Sequence, residues 1–281
     1  AFSANGAVAV SASAHAERFY TDLLMNVGAR LAYVTPSHQF PLGNVMPIVK
    51  RQQLLGWAEA TGAYVVEDDY DREYRYDIKP VPPLYSLRSG SGRVIYLGTV
   101  SKTLSPGLRI GYVVVPSGLE DVFSAAKRLA DRHTSTTEQN ALASILESGL
   151  YERHVRRVRR RNGQRRRCLL DALEQAFGHR ITIEGAEAGL HVVVWFRNLP
   201  AALESELIAR GKQQGIGLYP VSPLYDSVLP ACAGLVMGYA ALDESHICKG
   251  VEILADVILS FQDSRLEKQE RDRNSLNSGE E

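Results

Sequence analysis

Cysteine is scarce in this 281-residue sequence, and the three that occur, Cys168, Cys232 and Cys248, stand far apart. Their spacing matches neither a metal-binding motif nor a redox motif, and three cysteines cannot all pair within one chain. The sequence therefore predicts no metal site, and cysteine usage of this kind is typical of proteins of the reducing cytoplasm.

Long apolar runs and a net charge are also absent. No apolar stretch approaches the roughly 18 residues that a membrane span needs, and the first residues lack the basic flank of a signal peptide. The 32 basic side chains balance 32 acidic ones, so no overall field attracts nucleic acid or an anionic membrane. We expect a cytoplasmic protein, long enough for one large α/β unit with or without a smaller one.

What is present is a lysine that directly follows a strand-like segment. The apolar run Val94–Leu97 leads into Gly-Thr-Val-Ser, then Lys102, and a second strand-like run starts at Ile110. A lysine amine can form a Schiff base with an aldehyde, while hydroxyls and a guanidinium can bind a phosphate. The candidate phosphate ligands are Thr99, Ser101 and Arg109. Alone, the pattern also fits an ordinary solvated lysine in a hydroxyl-rich loop.

A second motif, about thirty residues upstream, agrees with the first. The buried strand predicted at Ala63–Val66 runs into the acidic segment Glu67-Asp-Asp-Tyr-Asp71. Ligands of open α/β sheets bind at the carboxyl ends of strands, so an acid and a lysine placed there can converge. Pyridoxal phosphate (PLP) needs a carboxylate beside its pyridine nitrogen, and Asp68 is the candidate. We expect Asp69 and Asp71 to be solvated or paired with nearby arginines.

Four motifs in order resemble the aminotransferase-like half of the MocR-type, GabR-like transcription regulators of the GntR superfamily. They are Tyr33–Gly43, Glu67–Asp71, Gly98–Leu104 and Leu108–Tyr112. The similarity in order, spacing and residue type extends from about Tyr33 to Leu259.

This resemblance implies an α/β fold of the fold type I PLP-dependent transferase kind. It predicts a mixed, mostly parallel sheet with flanking helices, followed by a small C-terminal α+β domain. Residues 1–150 would form the large PLP-binding domain, without its N-terminal part, 151–178 the interdomain helix, and 179–261 the small domain. The charged residues 262–281 lack apolar periodicity, so we expect a disordered tail there.

The resemblance also assigns roles to the candidate residues. Lys102 forms the internal aldimine with PLP, Asp68 keeps the pyridine nitrogen protonated, and Tyr70 gives its hydroxyl to the phenolic oxygen of the cofactor. Thr99, Ser101 and Arg109 would bind the phosphate of the cofactor. Because the N-terminal part of the large domain is expected to be missing, part of the phosphate cup would be missing as well.

One departure from the family pattern concerns the cofactor loop. Related aminotransferases carry an asparagine just before the second proline of the loop that starts at Pro36, and it binds the phenolic oxygen. This sequence has Phe40 there, and His38 or Gln39 could substitute.

A second departure concerns the substrate. Amino-acid-processing relatives carry, in the segment Gly238–Leu242, an arginine that binds the substrate carboxylate, and this sequence has Ala241 at that position. Losing such a contact removes about 1.5–3 kcal/mol of binding and the orientation that comes with it. An ordinary α-amino-acid transaminase is therefore disfavoured.

The run Arg153–Arg167 contains nine arginines and a histidine. It fits either a nucleic-acid-binding patch or, since it lacks interleaved aromatics, the solvated basic face of the long interdomain helix. We favour the helix.

Two hypotheses on function remain. The first is the PLP-binding, effector-sensing and dimerising domain of a MocR-type regulator, with little or no turnover. Its partners would be a small-molecule effector (an amine, an amino acid derivative or PLP itself), a second copy of the chain, and DNA only through a reader domain outside this sequence. The alternative is a PLP-dependent aminotransferase of class I/II acting on an amino compound.

Overall fold

The computed structural model describes residues 3–12, 21–77, 81–87, 92–226 and 229–277. The chain divides into two compact units. Unit 1 comprises Ala1–Arg161 with Gly185–Leu190, and unit 2 comprises Asn162–Glu184 with His191–Glu281.

Unit 1 contains a four-stranded sheet with the order β1-β2-β3-β4. The strands are β1 Leu31–Val34, β2 Tyr64–Asp68, β3 Val94–Thr99 and β4 Gly111–Val114. Strands β1, β2 and β3 run parallel, and β4 pairs antiparallel with β3. The predicted mixed, mostly parallel sheet is thus confirmed. The helices are α1 Thr21–Asn26, α2 Ile48–Thr61, α3 Glu120–Asp131, α4 Thr136–Glu147 and the first part of α5 Leu150–Phe177.

Helix α2 provides the core that holds β1, β2 and β3 in place. Its apolar side chains Leu54, Leu55 and Ala58 are almost completely buried, because their spacing places them on one face of the helix. The helix ends at Gly62, whose φ of 71° is a left-handed conformation that glycine adopts without steric cost. The core cluster formed with the strands contains Ala32, Trp57, Ala63, Val65, Leu84 and Val94.

A fully buried arginine on α2 fixes the chain around the ends of the strands. The Arg51 guanidinium donates hydrogen bonds to the backbone carbonyls of Pro36 at 2.7 Å, Met46 at 2.9 Å and Pro82 at 3.0 Å. It also lies 3.7 Å from the Glu67 carboxylate, and both side chains have no solvent exposure. Because burial of charge is costly without such partners, Arg51 ties two points of the β1–α2 connection and the segment at Pro82 to one position.

Glu67, the acid just before the end of β2, completes this buried group. Its two carboxylate oxygens accept the backbone amides of Leu84 at 2.8 Å and Tyr85 at 3.0 Å. Burial raises the pKa of Glu67, while the two amides and Arg51 act in the opposite direction. Glu67 is therefore a structural acid that anchors the segment following Pro83.

Unit 2 is a small α+β unit around a three-stranded antiparallel sheet with the order β5-β6-β7. Its strands are β5 Ile181–Glu184, β6 His191–Pro200 and β7 Cys232–Gly238, and its helices are the second part of α5, α6 Glu204–Gln213 and α7 Glu244–Asn277. The rings of Phe177 and Phe196 pack edge to face, with centroids 5.4 Å apart, and join α5 to β6. The sequence-predicted α+β composition of this part is confirmed.

The tail expected to be disordered from residue 262 is instead helical as far as Asn277. Its composition explains the difference: Glu, Lys, Arg, Gln and Leu have high helix propensity, and no glycine or proline interrupts the run between 262 and 277. Residues 278–281 lie outside the described part of the chain.

One further observation concerns the arginine-rich run, for which we favoured a helix. Helix α5 is continuous over 28 residues, and Arg153, Arg156, Arg157 and Arg160 on it are exposed.

Among the described residues, no helix combines the length and the hydropathy that a membrane crossing requires.

Replacing Arg51 by alanine should destabilise the protein by about 3–5 kcal/mol, because it leaves the Glu67 carboxylate and three carbonyls buried without their donor. Urea denaturation measures this change. Gln52→Ala, at an exposed position beside it on the same helix, is the matched control and should change stability by less than about 0.5 kcal/mol. A loss of less than about 1 kcal/mol for Arg51→Ala would contradict the assigned role.

Candidate functional site

The candidate residues lie at the edge of the sheet of unit 1 where the parallel strands end. Strand β2 ends at Asp68 and β3 at Thr99, with Asp68 paired to Leu97 across the two strands. Thr99 is paired with Gly111 at the start of the antiparallel strand β4, so the residues just before β4 reach the same edge. The strand-end site, as we call it, comprises Asp68, Tyr70, Thr99, Ser101, Lys102 and Arg109.

Lys102 lies in a tight turn directly after β3, and its side chain is exposed. The backbone of this turn is fixed by two hydrogen bonds, from the Leu104 amide to the Val100 carbonyl at 2.8 Å and from the Tyr74 hydroxyl to the Lys102 carbonyl at 2.6 Å. Tyr74 is itself buried, and burial is the main cause that raises its pKa, so the phenol remains a donor. The amine is thus presented to solvent from a rigid backbone.

Two side chains from the start of α5 hold the same turn from another direction. The buried hydroxyl of Thr103 lies 3.0 Å from the Tyr151 hydroxyl, and the Thr103 carbonyl lies 2.8 Å from Nε2 of His154. A carbonyl only accepts, so His154 carries its proton on Nε2 in this contact. The lysine turn is therefore supported by residues 28, 48 and 51 positions away along the chain.

The three predicted phosphate ligands differ in the hydrogen bonds that the structure gives them and in their solvent exposure. The Thr99 hydroxyl donates to the Ile110 carbonyl at 3.3 Å and accepts the Ser101 amide at 3.1 Å. Because a hydroxyl has one proton, Thr99 in this arrangement shapes the turn and has no second proton to donate. Ser101 is half-buried and the Arg109 side chain is exposed. Arg109 has a φ of 53°, a left-handed conformation that is unfavourable for a side chain with a β-carbon.

Asp68, the last residue of β2, is half-buried and is engaged by a residue that the sequence did not reveal. The Tyr33 hydroxyl on β1 donates a hydrogen bond to Oδ2 of Asp68. Burial, followed by this hydrogen bond, raises the pKa of Tyr33 well above its usual range, so the phenol keeps its proton. Asp68 is the one aspartate of the acidic segment that retains a partly exposed carboxylate.

Asp69 and Asp71 are buried rather than solvated, with exposed fractions of 4% and 1%. Oδ2 of Asp69 accepts the Tyr96 hydroxyl at 2.9 Å and lies 3.6 Å from Nε of Arg72, which fits the expected arginine pairing. Oδ2 of Asp71 lies 2.8 Å from Nδ1 of His38, so a histidine rather than an arginine is its contact at hydrogen-bond distance.

Tyr70 and His38 are connected at the cofactor loop. The Tyr70 hydroxyl donates to the backbone carbonyl of His38 at 3.2 Å, and burial, then the charges of Asp71 and Asp68, raise the pKa of Tyr70. His38 is 1% exposed, and a β-carbon on Gly189 would lie 2.0 Å from its ring. His38 therefore supports the acidic segment, and its burial argues against His38, one of the two candidates, as the substitute for the missing asparagine.

In unit 2, the segment that carries Ala241 is held by α5. Nη1 of Arg165 donates to the Ala240 carbonyl at 2.5 Å, while the Ala241 side chain is exposed. Arg165 therefore approaches position 241 in space, although it is distant in sequence, and in this arrangement its guanidinium binds the backbone.

Residues 31–221 match the family model described as aminotransferase class I and II. The chain is 39% identical over 253 residues to an uncharacterized HTH-type transcriptional regulator, YhdI, of Bacillus subtilis, covering 90% of this chain and 53% of that protein. It is 38% identical over 236 residues to the probable rhizopine catabolism regulatory protein MocR of Rhizobium meliloti, covering 84% and 47%.

Among solved structures, the α-aminoadipate aminotransferase LysN of Thermus thermophilus, complexed with N-(5'-phosphopyridoxyl)-L-leucine, superposes with a TM-score of 0.74 at 31% identity. The match covers 85% of this chain and 62% of LysN.

This chain spans about half the length of the curated regulators that it matches. The family model covers more than half of the chain, and the predicted resemblance to the aminotransferase-like half of MocR-type regulators is confirmed. The chain belongs to the aminotransferase class I and II family.

Proposed function

We propose that unit 1 binds PLP at the strand-end site, and that the chain is the effector-sensing and dimerising part of a MocR-type regulator. The observation that carries the proposal is the lysine turn: Lys102 is exposed, Tyr74 holds its carbonyl, and Tyr151 and His154 hold the next residue, Thr103. A turn that is held by two separate segments around an exposed amine suits a covalent attachment point.

The donor set at this edge matches the chemistry of the cofactor. PLP, when bound, supplies an electron sink, which requires a protonated pyridine nitrogen. Asp68 is the candidate carboxylate for that proton because it is partly exposed, whereas Asp69 and Asp71 are buried. The Tyr70 hydroxyl, which donates to the His38 carbonyl in this structure, would have to turn from that carbonyl to donate to the cofactor oxygen. The exposed Arg109 guanidinium and the Ser101 hydroxyl suit the phosphate.

Thr99 has a different role in this proposal from the direct phosphate contact that the sequence suggested. Its proton is used by the Ile110 carbonyl, so its contribution to phosphate binding is to orient the Ser101 amide. The hydroxyl could donate to a phosphate only if the bond to Ile110 opened.

Two observations support a sensor over an enzyme. The relatives reported above at 38–39% identity carry the names of transcriptional regulators. Position 241 is alanine, which removes the bidentate contact that would orient a substrate carboxylate for a bond-breaking step. Without that orientation, an amino compound can bind and change the site, but proton removal from it is slow.

The remaining partners follow from the same proposal. The effector is a small amine, an amino acid derivative or PLP itself, and the chain works as a homodimer in the cytoplasm. DNA is bound only by a reader domain outside this sequence.

The alternative function is a PLP-dependent aminotransferase acting on an amino compound. The similarity to LysN at 31% identity, together with the lysine at the end of β3, favours it. The two functions differ in one measurable respect, which is whether the bound amino compound is converted.

Asp68→Asn should weaken PLP binding about tenfold to a hundredfold, because it removes the charge that stabilises the pyridinium, a charge-assisted hydrogen bond of about 1.5–3 kcal/mol. Asp69→Asn is the matched control. It should lower thermal stability by disturbing Tyr96 and Arg72, while PLP affinity changes by less than about threefold. Absorbance titration with PLP measures both variants, and equal losses of affinity would mean that the wrong acid has been assigned.

With PLP and an α-keto acid supplied, common α-amino acids should shift the cofactor spectrum but give little product. The expected kcat is at least about a thousandfold below the roughly 10 per second of a typical enzyme. Lys102→Ala provides the background rate. Sustained turnover of an ordinary α-amino acid well above that background would support the aminotransferase and contradict the sensor.

A further inference from the structure

The two helices that meet in unit 2 bring two cysteines together that the sequence separates by 80 residues. Cys168 lies on α5 and Cys248 on α7, and their Sγ atoms are 3.3 Å apart. Both side chains are half-buried, so small oxidants can reach them. A disulfide has an S–S length of about 2.04 Å, so side-chain rotations that close the gap by little more than 1 Å would allow the bond.

We propose that Cys168 and Cys248 form a redox modification site at which a peroxide converts the two thiols into a disulfide joining α5 to α7. One thiolate attacks the O–O bond and becomes a sulfenic acid, releasing hydroxide, which takes up a proton to become water. The second thiol then displaces water from that sulfur and forms the S–S bond. In sum, the two thiols lose two electrons and two protons, and the peroxide is reduced to two waters.

The surroundings of Cys168 slow its own reaction with oxidants. Burial, then the hydrogen bond to Cys248, and then the negative charges of Glu244 and Asp171 raise the pKa of Cys168 to about 11. Because the thiolate is the reacting form, attack by Cys168 on an oxidant is slow near neutral pH. Once formed, the disulfide is reversed by a reducing thiol pool.

The bond would act on the connection between β7 and α7. The Cys168 thiol also lies 3.5 Å from the carbonyl of Glu244, the first residue of α7. One turn earlier on α5, Arg165 donates to the carbonyl of Ala240. This face of α5 thus already holds the connection that contains Ala241, and a disulfide would fix the first turns of α7 onto it.

The third cysteine provides the control for the experiment. Cys232, at the start of β7, is also half-buried. The full chain, Cys232→Ser and Cys168→Ser are exposed to graded hydrogen peroxide. Remaining thiols are then alkylated, and the linked peptides are mapped under non-reducing conditions.

The expected result is a Cys168–Cys248 linkage in the full chain and in Cys232→Ser, reversed by dithiothreitol and absent from Cys168→Ser. Oxidation should also raise the thermal midpoint by roughly 5 °C or more, because the bond closes a long loop of the unfolded chain. Hydrogen exchange of the amides from 239 to 248 should slow at least about tenfold. Independent oxidation of single cysteines to sulfinic acid, or linkage through Cys232, would overturn the proposal.

Discussion

The parallel register of β2 and β3 is the constraint on which the candidate site depends. Because Asp68 lies opposite Leu97, the residues after each strand emerge side by side at one edge of the sheet. The antiparallel strand β4 starts at the same edge, because Gly111 pairs with Thr99, so Arg109 just before it lies there too. The segment after β2 and the segment that joins β3 to β4 are thus placed together by backbone pairing before any side chain contributes.

The acidic segment shows how burial divides similar residues into different roles. Glu67 anchors a loop with Arg51, Asp69 is bonded to Tyr96, and Asp71 lies against His38, all with little or no solvent exposure. Only Asp68, at the strand end, keeps a partly exposed carboxylate. Three acids are thus buried in contacts within the protein, and the fourth is the one that keeps exposed surface.

The sequence was sufficient for the sheet and for the position of Lys102, because apolar runs, glycines and the lysine motif are local signals. It was not sufficient for the supporting contacts. Tyr74, Tyr151 and His154 reach the lysine turn from 28 to 51 residues away, a distance at which no periodicity indicates a partner. Aromatic and charged residues alternate after Asp71, which indicates that some of these tyrosines are buried. The alternation does not indicate which tyrosine contacts the lysine turn. The proximity of Cys168 and Cys248 could not be predicted from the sequence, because cysteine motifs are recognised by short spacings. The packing of two helices brings these two residues together.

The central claim is that the strand-end site attaches PLP through Lys102. Borohydride reduction of the PLP-loaded protein, followed by peptide mapping, tests it most directly. The account predicts that the phosphopyridoxyl group is found on the peptide that contains Lys102, and that Lys127→Ala, on the exposed helix α3, carries the same label. Labelling of another lysine, with Lys102 unmodified at saturating PLP, would contradict the claim.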